Sequence, residues 1–336
     1  MDAPNQPMTT RVLPYGEAAI AESARLILAG DIVAVPTETV YGLAADAPDS
    51  LAVARIYAAK GRPSFNPLIV HVLDLAAAET LAEFDDLARE LAARYWPGPL
   101  TLVLPLKHGA PIAPSVTAGL PTIALRVPAH RAMRALLSAT GKPLAAPSAN
   151  ASNAISPTRA EHILASLSGR VPLVIDDGAT DAGLESTIVR TGAEPAILRP
   201  GPITLEMLLP RASSERRPGP HEARAGQESQ ETLAFAGVVE MRVTAPGQLA
   251  SHYSPSKPLR LNADSAAPDE WLIGFGPVLG DDTLSIAGDL TEAASRLFAA
   301  LHRADASPRQ RIAVAPIPEH GIGAAINDRL RRAAHI

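Results

Sequence analysis

Residues 32–71 constrain the fold of this chain more than any other stretch. An apolar strand runs into a hydroxyl-rich turn that contains Thr37 and Thr39, and a helix follows over residues 50–60. A second apolar strand, LIVH, follows the loop at the end of that helix. Short apolar strands that alternate with helices favour an α/β sheet protein over an all-helical or an all-β chain.

The same alternation continues along the chain. Apolar runs predict strands, and helical spacing of Ala, Ile and Leu predicts helices, so this part of the sequence indicates a mixed α/β fold with a large sheet. The predicted strands span residues 32–35, 68–72, 100–105, 123–127, 144–146, 173–176, 186–189 and 196–198. The predicted helices span residues 15–30, 50–60, 75–95, 130–140 and 158–168.

A change of composition divides the chain. Between residues 211 and 231 the apolar periodicity is lost and charged residues, Pro, Gly and Ser dominate, which is typical of a linker. Farther on, the pattern predicts a small βαβ-type unit. Its strands span residues 259–261, 271–275 and 312–315, and its helices span 290–304 and 324–334. We predict a first domain over residues 1–210, a linker over 211–257 and a C-terminal domain over 258–336.

The glycine-rich run GFGPVLG, residues 274–280, is similar to a dinucleotide fingerprint only at first sight. Its spacing is GxGxxxG, whereas the fingerprint has GxGxxG and opens a helix. No helix clearly follows this run. We therefore predict no nucleotide site in the C-terminal domain.

The composition argues against several classes of protein. With 336 residues and 47% hydrophobic content, the chain is long enough for two domains with buried cores. Its formal net charge of −5 argues against a surface built as a whole to hold nucleic acid. Without cysteine there is no disulfide, thiolate metal site or cysteine nucleophile. Because no signal-peptide core or long apolar run occurs, we expect a soluble cytoplasmic protein with no membrane partner.

The loop after the second predicted helix brings two cations together. Lys60 and Arg62 stand beside hydroxyls and backbone donors, a combination that suits nucleotide phosphates. The alternative is that both cations only complement a helix C-terminus, where Gly61 and Pro63 are ordinary stop signals. The usual phosphate cradle GxxxxGK[ST] is absent from the sequence, as are the GxSxG and HExxH motifs of common hydrolases. Arginines and hydroxyls would have to hold any ATP.

Several motifs together resemble one family. In chain order they are PTETVYGL, KGRPSFNPLIVH, WPGPLTLVL, APSAN, SPT, ESTIV and LRPG, and they resemble the Sua5/YrdC/YciO family of threonylcarbamoyl-AMP synthases. The resemblance covers residues 15–209 densely, and SHYSPSKP at 251–258 is similar to the linker of the two-domain Sua5 form. It implies that residues 1–210 form a YrdC-like catalytic domain, a mixed twisted sheet with flanking helices. It also implies that residues 258–336 form a small Rossmann-like Sua5 C-terminal domain.

The resemblance implies a reaction as well. L-threonine, bicarbonate and ATP would form threonylcarbamoyl-adenylate and pyrophosphate, and a downstream machinery would transfer the product to an adenosine beside the tRNA anticodon (t6A37). Mg2+ would accompany ATP, held mostly by phosphates and water. The step needs charge neutralisation and alignment more than a strong base. Weak direct contact with tRNA would be compatible with this role.

Residues of both substrate sites can be carried over from the family. The resemblance implies three catalytic residues, Lys60, Arg62 and Arg126. For ATP it implies Arg62, Asn66, Thr122, Ser148, Ser156, Arg199 and Tyr253. For threonine it implies Thr39, His71, Arg126, Ala146 through its backbone, and Ser186. Tyr253 would belong to a lid, residues 251–258, that excludes water from the adenylate.

Most of these residues also have ordinary structural interpretations. Arg126 suits a carboxylate because a planar guanidinium binds two oxygens, but it is also compatible with a surface strand. His71 ends an apolar strand and is compatible with a packed histidine. Tyr253 is compatible with simple packing, and the Ser and Asn cluster around residues 148–156 with turns. Glu185 either orients the site or is a solvated acid.

The sequence departs from the family pattern at two positions. Arg190 stands where the family commonly has an acidic residue, and Asp177 where it commonly has glycine, which puts the turns near residues 176–183 in doubt.

Two other functions stay open. The first is an RNA-binding module of the YrdC type, but the acidic net charge and the 4% aromatic content argue against it. A carbamoyl transfer function, as in relatives that mature hydrogenases, ranks last because the chain has no cysteines for their zinc-finger-like segments.

Overall fold

The computed structural model of the chain describes residues 9–209 and 253–334. The elements of the first stretch are β1 (Arg11–Pro14), α1 (Glu17–Leu28), β2 (Val33–Pro36), β3 (Tyr41–Asp46), α2 (Ser50–Lys60), β4 (Ile69–His71), α3 (Leu75–Leu81), α4 (Asp86–Tyr95), β5 (Leu100–Pro105), α5 (Pro114–Thr117), β6 (Thr122–Arg126), α6 (Arg131–Thr140), β7 (Leu144–Ala145), α7 (Ala160–Leu167), β8 (Leu173–Asp176), β9 (Thr187–Arg190), β10 (Ala196–Arg199) and α8 (Leu205–Leu208). Those of the second stretch are β11 (Leu259–Arg260), β12 (Glu270–Gly274), β13 (Asp282–Thr283), α9 (Leu290–Ala306), β14 (Arg311–Val314) and α10 (Gly323–Ala333).

The first stretch forms one ten-stranded sheet. Its strand order is β1-β8-β2-β3-β7-β4-β6-β5-β9-β10. The β1/β8, β2/β8, β4/β6 and β5/β9 pairs are parallel, and the other neighbours are antiparallel. The predicted fold class, a mixed α/β sheet with flanking helices, is confirmed.

Apolar side chains of the sheet pack in separate clusters on its two faces. Val33 and Val35 of β2 pack with side chains of α1 and α6, while Ala34 between them packs with α2 and α7, because successive strand residues point to opposite faces. At the other end of the sheet, the described members of one buried apolar cluster are all strand residues. Its members are Ile69, Val103, Ala124, Ile188, Ala196 and Leu198. This surface, the strand-only face, borders the candidate site described below.

Local interactions explain where the observed elements differ from the predicted ones. The helix predicted over residues 75–95 is two helices, α3 and α4. Ala82 is extended, the Glu83 amide donates to the Pro105 carbonyl (2.9 Å), and Asp85 caps α4 by accepting from the Ala88 amide (2.7 Å). Strands β1 and β3 were not predicted, and β3 contains Gly and Ala residues of low strand propensity.

The second stretch contains a four-stranded, all-parallel sheet in the order β11-β14-β12-β13, which confirms a second, small parallel-sheet unit. The glycine-rich run at its β12 end has a packing role. A Cβ on Gly274 would lie 2.2 Å from the Val278 carbonyl oxygen, and one on Gly280 would lie 2.2 Å from that of Leu272. Close backbone approach therefore accounts for these glycines without a nucleotide.

The predicted linker lies mostly outside the described residues, and the predicted domain boundaries stay predictions. Only residues 253–257 of that linker are described. The two described stretches nevertheless share a core: Val40, Ile155 and Leu184 pack in the same apolar cluster as Tyr253 and residues of α9 and α10. Within the described ranges, no helix combines the length and the apolar character that crossing a membrane requires.

Candidate active site

The candidate site is a pocket beside the ends of β4 and β6, bounded by the β2–β3 turn and the loop after β7. Most of the residues predicted for substrate binding line it. They are Thr39, Arg62, His71, Arg126, Ala146, Ser148, Ser186, Arg199 and Tyr253. Lys60, Asn66, Thr122 and Ser156 are not among the lining residues.

Arg126 lies at the end of β6, and all of its guanidinium nitrogens have a partner. Nε donates to the Gly98 carbonyl (3.2 Å), Nη1 donates to the Thr39 hydroxyl (2.9 Å), and Nη2 forms an ion pair with Glu38 Oε1 (2.6 Å). The other Glu38 oxygen accepts from the Ala129 amide (3.1 Å). Burial would raise the pKa of Glu38, but Arg126 lowers it below its usual value. The pocket therefore holds an oriented guanidinium.

Sequence reasoning missed Glu38, although it stands between Thr37 and Thr39 in the PTET motif. The turn around it is tightly bonded. The Thr37 hydroxyl donates to the Val40 carbonyl (2.7 Å) and lies 2.8 Å from the Thr39 hydroxyl. This ST-type turn explains why two threonines flank an acid here. An acid enclosed by hydroxyl residues just after a buried strand was the available signal.

His71 ends β4, directly beside Arg126 in the parallel register of β4 and β6. Its side chain is buried, and the ring forms a hydrogen bond with the backbone of Leu144, the residue opposite His71 in the β4/β7 pairing. Burial, reinforced by the Arg126 charge, lowers the pKa of His71 well below its usual value. Burial therefore favours the neutral imidazole, which lines the pocket and has a second ring nitrogen for a ligand.

Lys60 was predicted as a catalytic residue, and the structure gives its ammonium group other partners. Nζ donates to the carbonyls of Ser148 and Asn150, so it attaches the end of α2 to the loop after β7. Burial lowers the pKa of Lys60 well below its usual value, and the nearby Arg62 charge adds to this. Since Lys60 does not line the pocket, its geometry supports a positioning role rather than contact with phosphates.

Arg62 and Asn66 lie on the loop after α2. Arg62 donates from Nε to the Asn66 carbonyl (3.2 Å) and from Nη2 to the Pro67 carbonyl (2.9 Å). Burial lowers the pKa of Arg62 to about 10, which still leaves it charged at neutral pH. The buried Asn66 amide has no partner for its nitrogen or oxygen within the described residues. A buried amide in this state is costly unless a ligand or water satisfies it.

Arg199, at the end of β10, holds Ser186 in place. Its Nε and Nη2 donate to the Ser186 carbonyl at 3.1 and 3.0 Å, and the Ser186 hydroxyl lies 2.7 Å from that of Thr101. Burial lowers the pKa of Arg199, which also interacts with the Tyr253 side chain. The pocket therefore contains separate arginines, Arg126 at the end of β6 and Arg199 at the end of β10.

The wall around Tyr253 brings both sheets together. Glu185, which lines the pocket, accepts from the Ser156 hydroxyl at Oε1 and from Arg329 Nε at Oε2 (2.9 Å). Ser156 therefore contacts the pocket through Glu185. Glu185 is a buried, bonded acid, so its interpretation as a solvated acid is wrong. Arg329, which belongs to α10, was not found by sequence reasoning.

Thr122 lies away from the pocket but on a related surface. It begins β6 and pairs with Pro105, and it shares a face with Ala124 and Arg126 because alternate strand residues point the same way. At about 3.3 Å per residue, Thr122 is roughly 13 Å along the strand from Arg126. The strand-only face lies between them, so only an extended ligand would contact both residues.

The two departures from the family pattern leave the pocket intact. Asp177 accepts from Arg131 Nε (2.7 Å), and the next residue, Gly178, takes the positive φ of 79° that the turn requires. Arg190 donates to the Glu194 carbonyl (3.2 Å). Neither residue lines the pocket. Among residues 9–209 and 253–334 no group of three or more His, Asp or Glu side chains is arranged to hold a metal ion.

The fold and the pocket define an α/β protein with a buried, arginine-containing ligand site between two sheet units. Comparison with known families identifies both units. The Sua5/YciO/YrdC family model, described as telomere recombination, matches residues 25–201, and the model described as "Threonylcarbamoyl-AMP synthase, C-terminal domain" matches residues 203–335. The chain therefore belongs to the Sua5/YrdC/YciO family, in its two-domain threonylcarbamoyl-AMP synthase form.

Individual relatives agree along nearly the whole chain. The Bacillus subtilis threonylcarbamoyl-AMP synthase is 38% identical over 97% of this chain and 95% of its own length. That of Pyrococcus abyssi is 37% identical over 95% of this chain and 94% of its own. A crystal structure of P. abyssi Sua5 complexed with L-threonine matches with a TM-score of 0.82 and 33% identity, covering 97% of both chains.

Proposed function

We propose that this chain forms threonylcarbamoyl-AMP and pyrophosphate from L-threonine, bicarbonate and MgATP. The observation that supports this most is the oriented cluster of Arg126, Thr39 and His71 in a fold that closely matches a Sua5 solved with L-threonine. A charged guanidinium, a hydroxyl and a neutral imidazole are suitable partners for the carboxylate, hydroxyl and amine of threonine. Ala146 and Ser186 complete this end of the pocket, the threonine end.

The other end of the pocket suits the nucleotide and is called the nucleotide end. Arg62 and Arg199 supply buried positive charge, and Ser148 and Tyr253 line the same space. The Asn66 amide does not line the pocket, but it lies beside Arg62 and has a donor and an acceptor without a partner within the described residues, as a base or ribose requires. Thr122 would contact the far part of an ATP extended along β6, beside the apolar strand-only face.

The chemistry requires neutralisation and alignment. The threonine amine attacks the bicarbonate carbon and water leaves, which gives a carbamate. A carbamate oxygen then forms a bond to the α-phosphorus, the bond from the α-phosphorus to the β-bridging oxygen breaks, and pyrophosphate leaves with that electron pair. Arg62 and Arg199 would neutralise the developing charge, and Lys60 would hold the Ser148 loop. The described residues offer no carboxylate cage, so Mg2+ would enter as part of MgATP.

Tyr253 would close the nucleotide end. Its side chain is almost fully buried over the pocket, which excludes water from a mixed anhydride that hydrolyses readily. Of the predicted lid, residues 251–258, the structure describes residues 253–258. We place the reaction in the cytoplasm, where a tRNA-modifying transfer machinery would receive the product, with at most weak contact between this chain and tRNA.

The test is pyrophosphate release with ATP, Mg2+ and bicarbonate, comparing L-threonine with L-serine, L-valine and no amino acid. We expect release that requires both threonine and bicarbonate, with threonylcarbamoyl-AMP identified by mass. Arg62→Ala should abolish it in a folded protein, and Tyr253→Ala should increase loss of the product to hydrolysis. The proposal is wrong if folded wild-type protein shows no threonine-dependent pyrophosphate release and instead binds RNA with an affinity that falls as the salt concentration rises.

A further inference from the structure

Arg329 of α10 is a fully buried arginine whose partners lead to the pocket of the first sheet unit. Its side chain is 0% exposed, Nε donates to Glu185 (2.9 Å), and Nη1 donates to Asp328 (2.7 Å). A buried guanidinium is tolerated only when its charge and donors are compensated. The compensation comes here from one residue of its own helix and one that lines the pocket.

Arg329 also supports Tyr253. Its guanidinium carbon lies 5.2 Å from the centre of the Tyr253 ring, and the Phe298 ring centre lies 5.7 Å from that of Tyr253. The Tyr253 backbone has a φ of 64°, a left-handed conformation that an aromatic residue adopts only where its surroundings enforce it. Burial alone would lower the pKa of Arg329, but Tyr253, Glu185 and Asp328 hold it above its usual value. The arginine therefore stays charged.

The loop that carries Glu185 is attached to the C-terminal unit at further points. A Cβ on Gly183, whose φ is 67°, would lie 2.5 Å from the main chain of Ser295 in α9. Leu184 is fully buried in the apolar cluster of the C-terminal unit. Three consecutive residues just before β9 therefore contact the C-terminal unit. Gly183 lies against α9, Leu184 packs in the apolar cluster, and Glu185 accepts from Arg329 of α10.

We propose that Arg329 is a positioning residue for the nucleotide end of the pocket. Acting through Glu185 and Tyr253, it makes the geometry of that end depend on the C-terminal unit, although Arg329 itself lines no part of the pocket. This inference rests on the proposed function for its kinetic readout. At the threonine end, the Arg126 guanidinium is bonded instead to Gly98, Thr39 and Glu38.

The test separates positioning from mere stability by comparing the two substrates. Arg329→Met should raise the KM for ATP, or the Kd measured calorimetrically, by about tenfold or more and leave the KM for threonine within about twofold. Arg329→Lys should recover part of the loss, because it keeps the charge without the planar fork. Arg332→Met is the matched control, since Arg332 also pairs with Asp328 (3.0 Å) and does not line the pocket. It should leave both KM values unchanged.

A double-mutant cycle tests the route. Glu185→Gln and Arg329→Met combined should raise the KM for ATP no more than about twofold beyond the larger single effect, because both remove one interaction. Multiplicative effects, or equal losses for ATP and threonine that follow the melting temperature, would overturn the proposal. If wild-type protein binds ATP but makes no threonylcarbamoyl-AMP, the proposed function fails while the ATP affinities still decide this inference. If wild-type protein does not bind ATP, both fail.

Discussion

The two ends of the pocket are built in different ways. At the threonine end, Arg126 and His71 stand at the ends of neighbouring parallel strands and are oriented by partners from the same sheet unit. At the nucleotide end, Tyr253, Glu185 and Arg329 bring together both units. One end is therefore defined as soon as the large sheet forms, whereas the other is completed only when the C-terminal unit packs against it.

Both ends depend on a buried ion pair, Arg126 with Glu38 and Arg329 with Glu185. Removing one partner of such a pair leaves an uncompensated charge, which costs about 3–5 kcal/mol. The two pairs differ in the part of the molecule that their loss destabilises. Loss of the first pair disturbs a site within one unit, and loss of the second also weakens the contact between the units.

The largest effect is expected at the threonine end. Arg126→Ala should lower kcat/KM for threonine on the order of 10³-fold, because both carboxylate binding and alignment are lost. The measurement is threonine-dependent pyrophosphate release. Arg134→Ala is the control, since that arginine donates to the Leu73 carbonyl (3.3 Å) outside the pocket. A drop of less than about tenfold in Arg126→Ala would remove Arg126 from the site.

A smaller but more selective effect is expected where the units meet. Gly183→Ala should raise the KM for ATP about tenfold with little change for threonine, because its methyl group would collide with the α9 backbone and displace Glu185. Gly178→Ala is matched for strain, since its φ is 79° but a Cβ there meets nothing within 4 Å. If both variants raise the KM for ATP equally, backbone strain is responsible and not the contact between Gly183 and α9.

Acid should loosen the contact between the units through a stacked pair, His162 of α7 and His302 of α9. Their ring centres are 3.8 Å apart, and His302 Nε2 lies 3.2 Å from the Ser156 carbonyl. Burial lowers the pKa of His162 to about 3 and that of His302 to about 4. Arg159 and Arg303 also lower the His162 value, while the Ser156 carbonyl and Asp305 act in the opposite direction on His302.

The sign of this pH effect follows from the depressed pKa values. Below about pH 6.5 the unfolded histidines bind protons that the folded pair excludes, so stability is full above that pH and is lost as the pH falls towards 4. Melting temperatures between pH 7.5 and 4.5 should fall by several degrees less in His302→Gln than in the wild type. His108→Gln, at an exposed position, is the control. Identical pH dependence in all three proteins would contradict the assignment.

The smallest effect is expected at the far end of the strand-only face. Thr122→Val should raise the KM for ATP by roughly two- to fivefold, the value of one neutral hydrogen bond, and leave the KM for threonine unchanged. Thr122→Ser keeps the hydroxyl and should behave like the wild type. An unchanged KM for ATP in the valine variant would show that the nucleotide does not extend along β6.

Sequence patterns predicted pocket residues best where those residues stand at the ends of short strands. Arg126 and His71 each end a short apolar strand, and the parallel pairing of β4 and β6 brings strand ends to the same edge. The carbonyl partners of Lys60 could not be predicted, because a cation after a helix does not show which carbonyls it will meet. Strand β3 was missed because its Gly and Ala residues have low strand propensity; at Gly42 the sheet packs closely, and a Cβ there would lie 3.3 Å from that of Ala146.

The sequence by itself determined the class of sheet, the family and most of the pocket residues, because these depend on periodicity and on motifs read within short windows. Only the tertiary structure decided that Glu38 pairs with Arg126, that Lys60 binds backbone carbonyls, and that Arg329 meets Glu185. The last pair is separated by 144 residues. Contacts of this kind depend on how two units pack. Their charges interact strongly only after that packing has excluded water.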